Sequence, residues 1–229
     1  MARAGRFTTD ELQGVYRAIR ERRDVRSGFL PEPLSEEVLG RLLDAAHHAP
    51  SVGLMQPWRF ILIRAVEIRK AVHDIFLRCN QAALDIYEGD RRKRYASLKL
   101  EGILEAPQNL CIVCNPEGER GHRLGRLSMP ETALYSVVCA VQNLWLAARA
   151  EGIGVGWVSI LDQKALHEVL HIPESIVPVA YLCLGYVDHF AAEPDLERAG
   201  WERRIPLDQV LAFERYDPRW SAQEEKKKP

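Results

Sequence analysis

The sequence predicts one layered domain in which helices and strands intermix, of the α/β or α+β class. Three observations lead there. The chain has 229 residues, which corresponds to one domain, or one plus extensions, at about 100–200 residues per domain. Helical-period segments and short apolar runs intermix along it instead of separating into halves. Its 47% hydrophobic and 28% charged residues are those of an ordinary globular protein, large enough to bury a core without disulfide staples.

The first helix starts near Thr8, where Thr8 and Glu11 have capping-box spacing. Leu12, Val15, Tyr16 and Ile19 follow at helical spacing. An arginine-rich stretch, Arg20 to Arg26, comes next, and Gly28, Pro31 and Pro33 close the helix. Ser35 caps a second helix with Leu39, Leu42, Leu43 and Ala46 on one face, ended by Pro50. After the loop Pro50–Trp58, Phe60–Ile63 reads as a short buried strand. Helices are expected over Ala65–Tyr87 and Arg91–Ala106, then a strand over Leu110–Cys114 and a polar loop over Asn115–Met129. Glu131–Glu151 is apolar over most of its circumference (Val137, Val138, Val141, Leu144, Trp145, Ala148) and reads as the central buried helix. A strand over Gly154–Ile160, a short helix over Lys164–Leu170 and a strand over Val179–Leu184 follow. Asp188–Pro206 has little periodicity and reads as an extended crossing arm, and Leu207–Phe213 as an edge element. Residues 1–220 form the domain, and the polar stretch 221–229 is expected to be a disordered tail.

Lys+Arg number 31 and Asp+Glu 32, a net charge of −1. This argues against a surface that attracts nucleic acid or anionic membrane as a whole, while leaving room for a local basic patch. No run approaches the roughly 18 apolar residues of a membrane span, and Met1–Leu12 lacks the apolar core of a secretory signal. Five cysteines, an odd number, do not read as a disulfide framework, so the cytoplasm is the expected location.

His167-Glu168-Val169-Leu170-His171 matches H-E-x-x-H, a zinc motif when both histidines share a helix face. Ile172-Pro173 ends that helix at once, and an amphipathic surface helix is the favoured reading, with no metal expected. Cys111 and Cys114 form a lone C-x-x-C that a strand would point to opposite faces. Gly152, Gly154 and Gly156 follow a helix and enter a strand, the reverse of a dinucleotide-binding loop, and read as a helix cap and a tight strand entry. Arg22, Arg23 and Arg26 cluster within one turn, and Arg203 and Arg204 lie on the late arm. Such a set suits either a phosphate monoester or a solvated ion-paired face. The loop Pro50–Trp58 carries Ser51 and Gln56 as hydrogen-bonding groups beside Met55 and Trp58, which can pack on a flat ring.

In order along the chain, Arg22-Arg23-Asp24-Val25-Arg26, Ala49-Pro50-Ser51 through Gln56-Pro57-Trp58, Gly152 to Trp157, and Arg204-Ile205-Pro206-Leu207 resemble the motifs of the FMN-dependent nitroreductase family. The resemblance spans Ala18 to Leu211. It implies an α+β, three-layer α/β/α domain with a mixed, mainly antiparallel sheet, in a domain-exchanged homodimer with flavin at its interface. Asp24 departs from the small polar residue usual at its position, and a carboxylate beside a phosphate site is costly without a reason. That departure is shared by a flavin-fragmenting branch of the family, which the stretches Arg22–Trp58 and Cys139–Ile160 resemble. The branch implies that reduced FMN, consumed as substrate, reacts with O₂ to give 5,6-dimethylbenzimidazole, the lower ligand of cobalamin, and erythrose 4-phosphate. It implies Asp24 and Ser159 as the catalytic pair. By the same resemblance Arg22, Arg23 and Arg26 hold the phosphate, ribityl chain and ring edge, with Asp24, Val25, Leu100 and Ser159 as further contacts and Arg204 on the phosphate. Ser51, Met55 and Gln56 line the flavin from the partner subunit, and a separate flavin reductase supplies FMNH₂. The alternatives are an NAD(P)H-dependent nitro or flavin reductase on the same fold, a flavin-binding module without chemistry, and a zinc hydrolase.

Overall fold

The computed structural model describes residues 5–218 and 220; the expected tail, 221–229, lies outside them. Helix α1 (Thr9–Glu21) opens with the expected capping box: Glu11 N–H donates to Thr8 Oγ1 at 3.4 Å, and Thr8 N–H to Glu11 Oε2 at 2.8 Å. It ends before Gly28 and the prolines, because the chain leaves the helix to run along the sheet. Arg22 already has extended backbone, and Val25 N–H donates to the Val155 carbonyl at 3.0 Å. Helix α1 buries none of its residues, and Val15, Tyr16 and Ile19 stay exposed. Helix α2 (Glu36–His47), capped by Ser35, buries Leu39, Leu42 and Ala46.

Strands β1 (Trp58–Ile63), β2 (Gln108–Cys114), β3 (Ile153–Val158) and β4 (Val177–Tyr186) form one sheet in the order β1-β2-β4-β3, each pair antiparallel. Among the described residues the parallel contribution is an isolated bridge between Asp24 and Val155. Side chains alternate across the sheet. Leu110, Ile112, Cys114, Leu182 and Leu184 join α2 and the central helix α5 (Thr132–Ala150) in one core. Cys111, Val113, Tyr181 and Cys183 join α3 (Val66–Ile86) and α6 (Gln163–Leu170) in the other. The result is three layers, with Cys111 and Cys114 on opposite faces as their spacing requires. Helix α5 is the buried helix of the sequence pattern, although Val138 is 42% exposed.

Two expected elements are different. The helix expected over Arg91–Ala106 is only α4 (Gly89–Ala96); residues 97–107 form turns and coil. Gly102 weakens helix there, Pro107 biases its predecessor to extended backbone, and Glu101 takes the Ile103 N–H that a helix would have used. Leu207–Phe213 supplies a 3-10 turn, Leu207–Gln209, not an edge strand, since Pro206 fixes the turn entry. The crossing arm carries a short helix, α7 (Asp195–Arg198). Its Trp201 stacks edge-on against Tyr87 and Tyr95.

The glycines act as cap and strand entry. Gly152 follows α5 with φ +74, the left-handed geometry of a helix end. Gly156 makes room for the chain after α1, because a Cβ there would overlap the Val25 carbonyl. Gly156→Ala is therefore expected to lower the unfolding free energy by about 1–3 kcal/mol. Gly40→Ala, in open space on α2, should raise it by about 0.5–1 kcal/mol; chemical denaturation of both variants reads the two signs. A second expectation concerns alkaline pH. Burial raises the Cys111 thiol from 9.0 to about 12. The folded chain thus keeps a proton that the unfolded chain releases, so stability contributed below pH 9 is lost as pH rises toward 12. Unfolding curves at pH 8 and 10.5 should show this loss, smaller in Cys111→Ala.

Candidate functional site

Four chain segments converge at the end of β3. The first follows α1. Asp24 Oδ1 accepts the Trp157 N–H at 2.9 Å, and its Oδ2 lies 2.5 Å from an Arg26 Nη. Both oxygens are therefore engaged, one by strand backbone and one by a guanidinium. Arg22 lies over the Trp145 ring, 4.8 Å from its centroid, and the Trp145 Nε1–H donates to the Arg23 carbonyl at 3.1 Å. The Arg22 guanidinium is less basic than usual because it is desolvated and because Arg204 and Arg23 repel its charge, while Asp24 acts in the opposite sense. Arg204, exposed on the late arm, thus lies within electrostatic range of Arg22. Arg23 donates to the carbonyls of Arg20, Arg22 and Ala192, and its buried Nε has no hydrogen-bond partner. Val25 is buried against β3.

The second segment is the end of β3 itself. Ser159 sits one residue past the strand and is exposed. It follows by two residues the Trp157 that holds Asp24, a span of about 7 Å at strand rise. The third is the turn around Leu100, half-buried against the α3–α6 core. The adjacent Gly102 packs so closely on Phe29 and the Arg26 carbonyl that a Cβ would lie 2.7 Å from the Phe29 ring. The fourth is the arm beyond β4. With Arg23, Asp24, Val25, Arg26 and Ser27, its residues His189, Ala191, Asp195 and Arg198 enclose a cavity of about 60 Å³.

Ser51, Met55 and Gln56 form a separate group. Met55 is buried in the α2–α5 core, and Ser51 Oγ accepts the Gln56 N–H at 3.2 Å. Leu54 and Gln56 have φ of 51° and 44°, a left-handed strain that clusters at functional loops. The loop is braced by Arg120, which donates to Gln56 Oε1 at 2.9 Å. Val52 N–H donates to Ser136 Oγ near the start of α5, whereas Arg22 rests on Trp145 near its end. Nine residues of helix, about 13 Å of rise, lie between these two anchors. One chain therefore carries the two sets of predicted residues apart.

Among the described residues, no group of three or more His, Cys, Asp and Glu is arranged to hold a metal ion. The H-E-x-x-H histidines do not stack on one face. His171 has left the helix in a left-handed conformation (φ 51), and His167 Nδ1 lies 3.0 Å from the Ile172 carbonyl.

Sequence reasoning missed Glu101. It is 8% exposed and takes the Ile103 N–H at 2.7 Å and Lys99 Nζ at 2.9 Å. The helix expected there concealed it; the signal available was the Gly102 and Pro107 beside it.

Residues 19–186 match the Nitroreductase family, and the chain belongs to that family. Over 200 residues it is 48% identical to the 5,6-dimethylbenzimidazole synthase of Rhodospirillum rubrum, covering 87% of this chain and 94% of that protein. A protein of the same name from Rhodobacter capsulatus is 42% identical over 202 residues, covering 88% and 97%. Among solved structures, iodotyrosine deiodinase bound to FMN and 3-iodo-L-tyrosine shares the fold, with a TM-score of 0.70 at 20% identity over 88% of this chain and 100% of that one.

Glu101→Ala strands the Ile103 N–H, while Lys99 keeps Glu105 as its partner at 2.7 Å, and is expected to cost about 1–3 kcal/mol in denaturant unfolding. Glu101→Gln, which keeps an acceptor in place, should cost less.

Proposed function

We propose that this chain is an oxidoreductase that converts reduced FMN and O₂ to 5,6-dimethylbenzimidazole and erythrose 4-phosphate, supplying the lower ligand of cobalamin. FMN is consumed as substrate and delivered reduced by a separate flavin reductase. The observation that carries this reading is Asp24, a carboxylate held by the β3 backbone inside an arginine cluster. The relatives in Rhodospirillum and Rhodobacter carry the name of that activity at 48% and 42% identity over nearly their whole length.

The residues suit an FMN phosphate. The Arg22 and Arg204 charges repel each other, and among the described residues the buried Arg23 Nε donor has no partner. Arg26, Val25 and Leu100 border the ribityl chain and ring edge in this reading. In this reading O₂ would be the oxidant and reduced FMN the substrate it oxidises. Asp24 accepts protons as carbon–carbon bonds of the ribityl chain break, positioned by Trp157 and Arg26 so that it need not reorient. Ser159, exposed two residues beyond Trp157, gives a hydroxyl to steady the ring or the ribityl hydroxyls.

The protein works as a domain-exchanged homodimer in which Ser51, Met55 and Gln56 reach the flavin of the partner subunit. Three features support this. The cavity at Asp24 holds about 60 Å³, against ~300–1,000 Å³ for a ligand pocket. The Gln56 group stands apart from it in one chain. Large apolar side chains on α1 (Tyr16, Ile19), α5 (Tyr135, Val138) and the last segment (Leu207, Phe213) are exposed. Residues 1–220 act as one flavin-binding domain. All five cysteines are free, which suits a reducing cytoplasm, and among the described residues no helix is long and apolar enough to cross a membrane.

Incubating the protein with FMNH₂ and air should yield 5,6-dimethylbenzimidazole by mass spectrometry. Asp24→Asn and Ser159→Ala should each reduce its rate, Asp24→Asn by about 10²–10⁴-fold. Product formed at full rate by both variants would refute the assignment. Steady NAD(P)H oxidation with a nitroaromatic, FMN surviving intact, would establish a nitroreductase instead.

A further inference from the structure

Among the groups that line the cavity at Asp24, the His189 imidazole has been given no role. His189 lies on the arm just past β4 and lines the same cavity as Asp24 and Arg26. Its Nδ1 is 2.7 Å from Oδ1 of Asp188. Asp188 is itself seated: its N–H donates to the Gly28 carbonyl at 3.1 Å, and its carboxylate packs so closely on Gly28 that a Cβ there would lie 2.6 Å from Oδ1. The dyad is therefore tied to the segment that carries Arg26. A carboxylate only accepts, so Nδ1 keeps the ring hydrogen and Nε2 presents its lone pair.

The other charged groups around the imidazole are occupied. Asp24 pairs with Arg26, and Asp195 with Arg198 at 2.6 Å on α7. Arg23 donates to main-chain carbonyls. From α5, Arg149 lies over the neighbouring Phe190 ring and pairs with Glu21. His189 can gain and lose a proton at Nε2 without breaking any of these pairs. Its side chain is 72% exposed, so it reaches both the cavity and bulk water. The cavity has room for a bridging water.

We propose that His189, oriented by Asp188, relays protons between Asp24 and solvent. The inference rests on the flavin-fragmenting reading, in which Asp24 takes a proton at each cleavage and must be reset. In the reset, the proton leaves the Asp24 carboxylic acid, directly or across one water, for the Nε2 lone pair. Asp24 returns to carboxylate, and the imidazolium gives a proton to bulk water. One proton moves outward and no electrons change hands. His189 acts through Asp24 and does not touch the substrate.

The test uses the full-length protein with FMNH₂ and air, following 5,6-dimethylbenzimidazole with time. His189→Ala is expected to slow product formation by about 100-fold, the lower end of the range for proton-transfer catalysis. FMN affinity, read by quenching of flavin fluorescence, should be unchanged, and added imidazole should restore much of the rate. An unchanged rate, a loss that tracks weakened FMN binding, or a slowed variant that imidazole does not rescue overturns the relay alone. Wild-type protein that forms no product overturns the proposed function as well.

Discussion

Val25 donates to the Val155 carbonyl and Asp24 accepts from the Trp157 N–H, and both bonds require two backbones to run side by side with nothing at residue 156 but hydrogen. From that close approach the rest of the site follows. Helix α1 has to stop at Glu21 so that the chain can turn onto the sheet. Arg22 then falls over Trp145 and Arg23 against the arm beyond β4. The Gly102 turn closes under Arg26 from the opposite side. A side chain at residue 156 would move the carboxylate and three arginines together, because one bonded segment carries them all.

The electrostatics of that segment are built in opposition. Cations that repel one another are gathered around Arg22, and one carboxylate is set among them with both of its oxygens engaged. A buried or half-buried charge is tolerated when it is paired and hydrogen-bonded. Here the pairing leaves the cluster with surplus positive charge, which suits an anionic ligand, and leaves Asp24 oriented before any ligand arrives. Preorganised groups of this kind cost no reorganisation when charge moves during a reaction.

Much of this was legible from residue types. The capping box at Thr8, the Ser35 cap and the apolar circumference of α5 are local signals, and they hold because each depends on neighbours three or four residues away. Gly152 and Gly156 were readable as a cap and a strand entry for the same reason. What lay hidden was tertiary. Leu98 to Leu104 carries a helical rhythm, yet Glu101 spends its carboxylate on Ile103 and Lys99, and Gly102 is pressed against Phe29, which is distant in sequence. The dyad of Asp188 and His189 sits on an arm without periodicity, so no pattern marked it. The arginines were visible as a cluster, but the choice between a solvated face and a ligand site required Trp145 and β3, which spacing does not show.

Helix α1 buries none of its residues although Val15, Tyr16 and Ile19 give it an apolar side. Among the described residues that side has no cover, and in the proposed assembly the second subunit supplies it. The order of this helix is then governed by mass action, so apparent stability rises with protein concentration. Dilution would fray α1 while leaving the sheet and both cores intact. Because Arg22 follows directly at its end, the side of the site proposed to hold the phosphate would loosen with it, making subunit concentration a determinant of flavin affinity in that assembly.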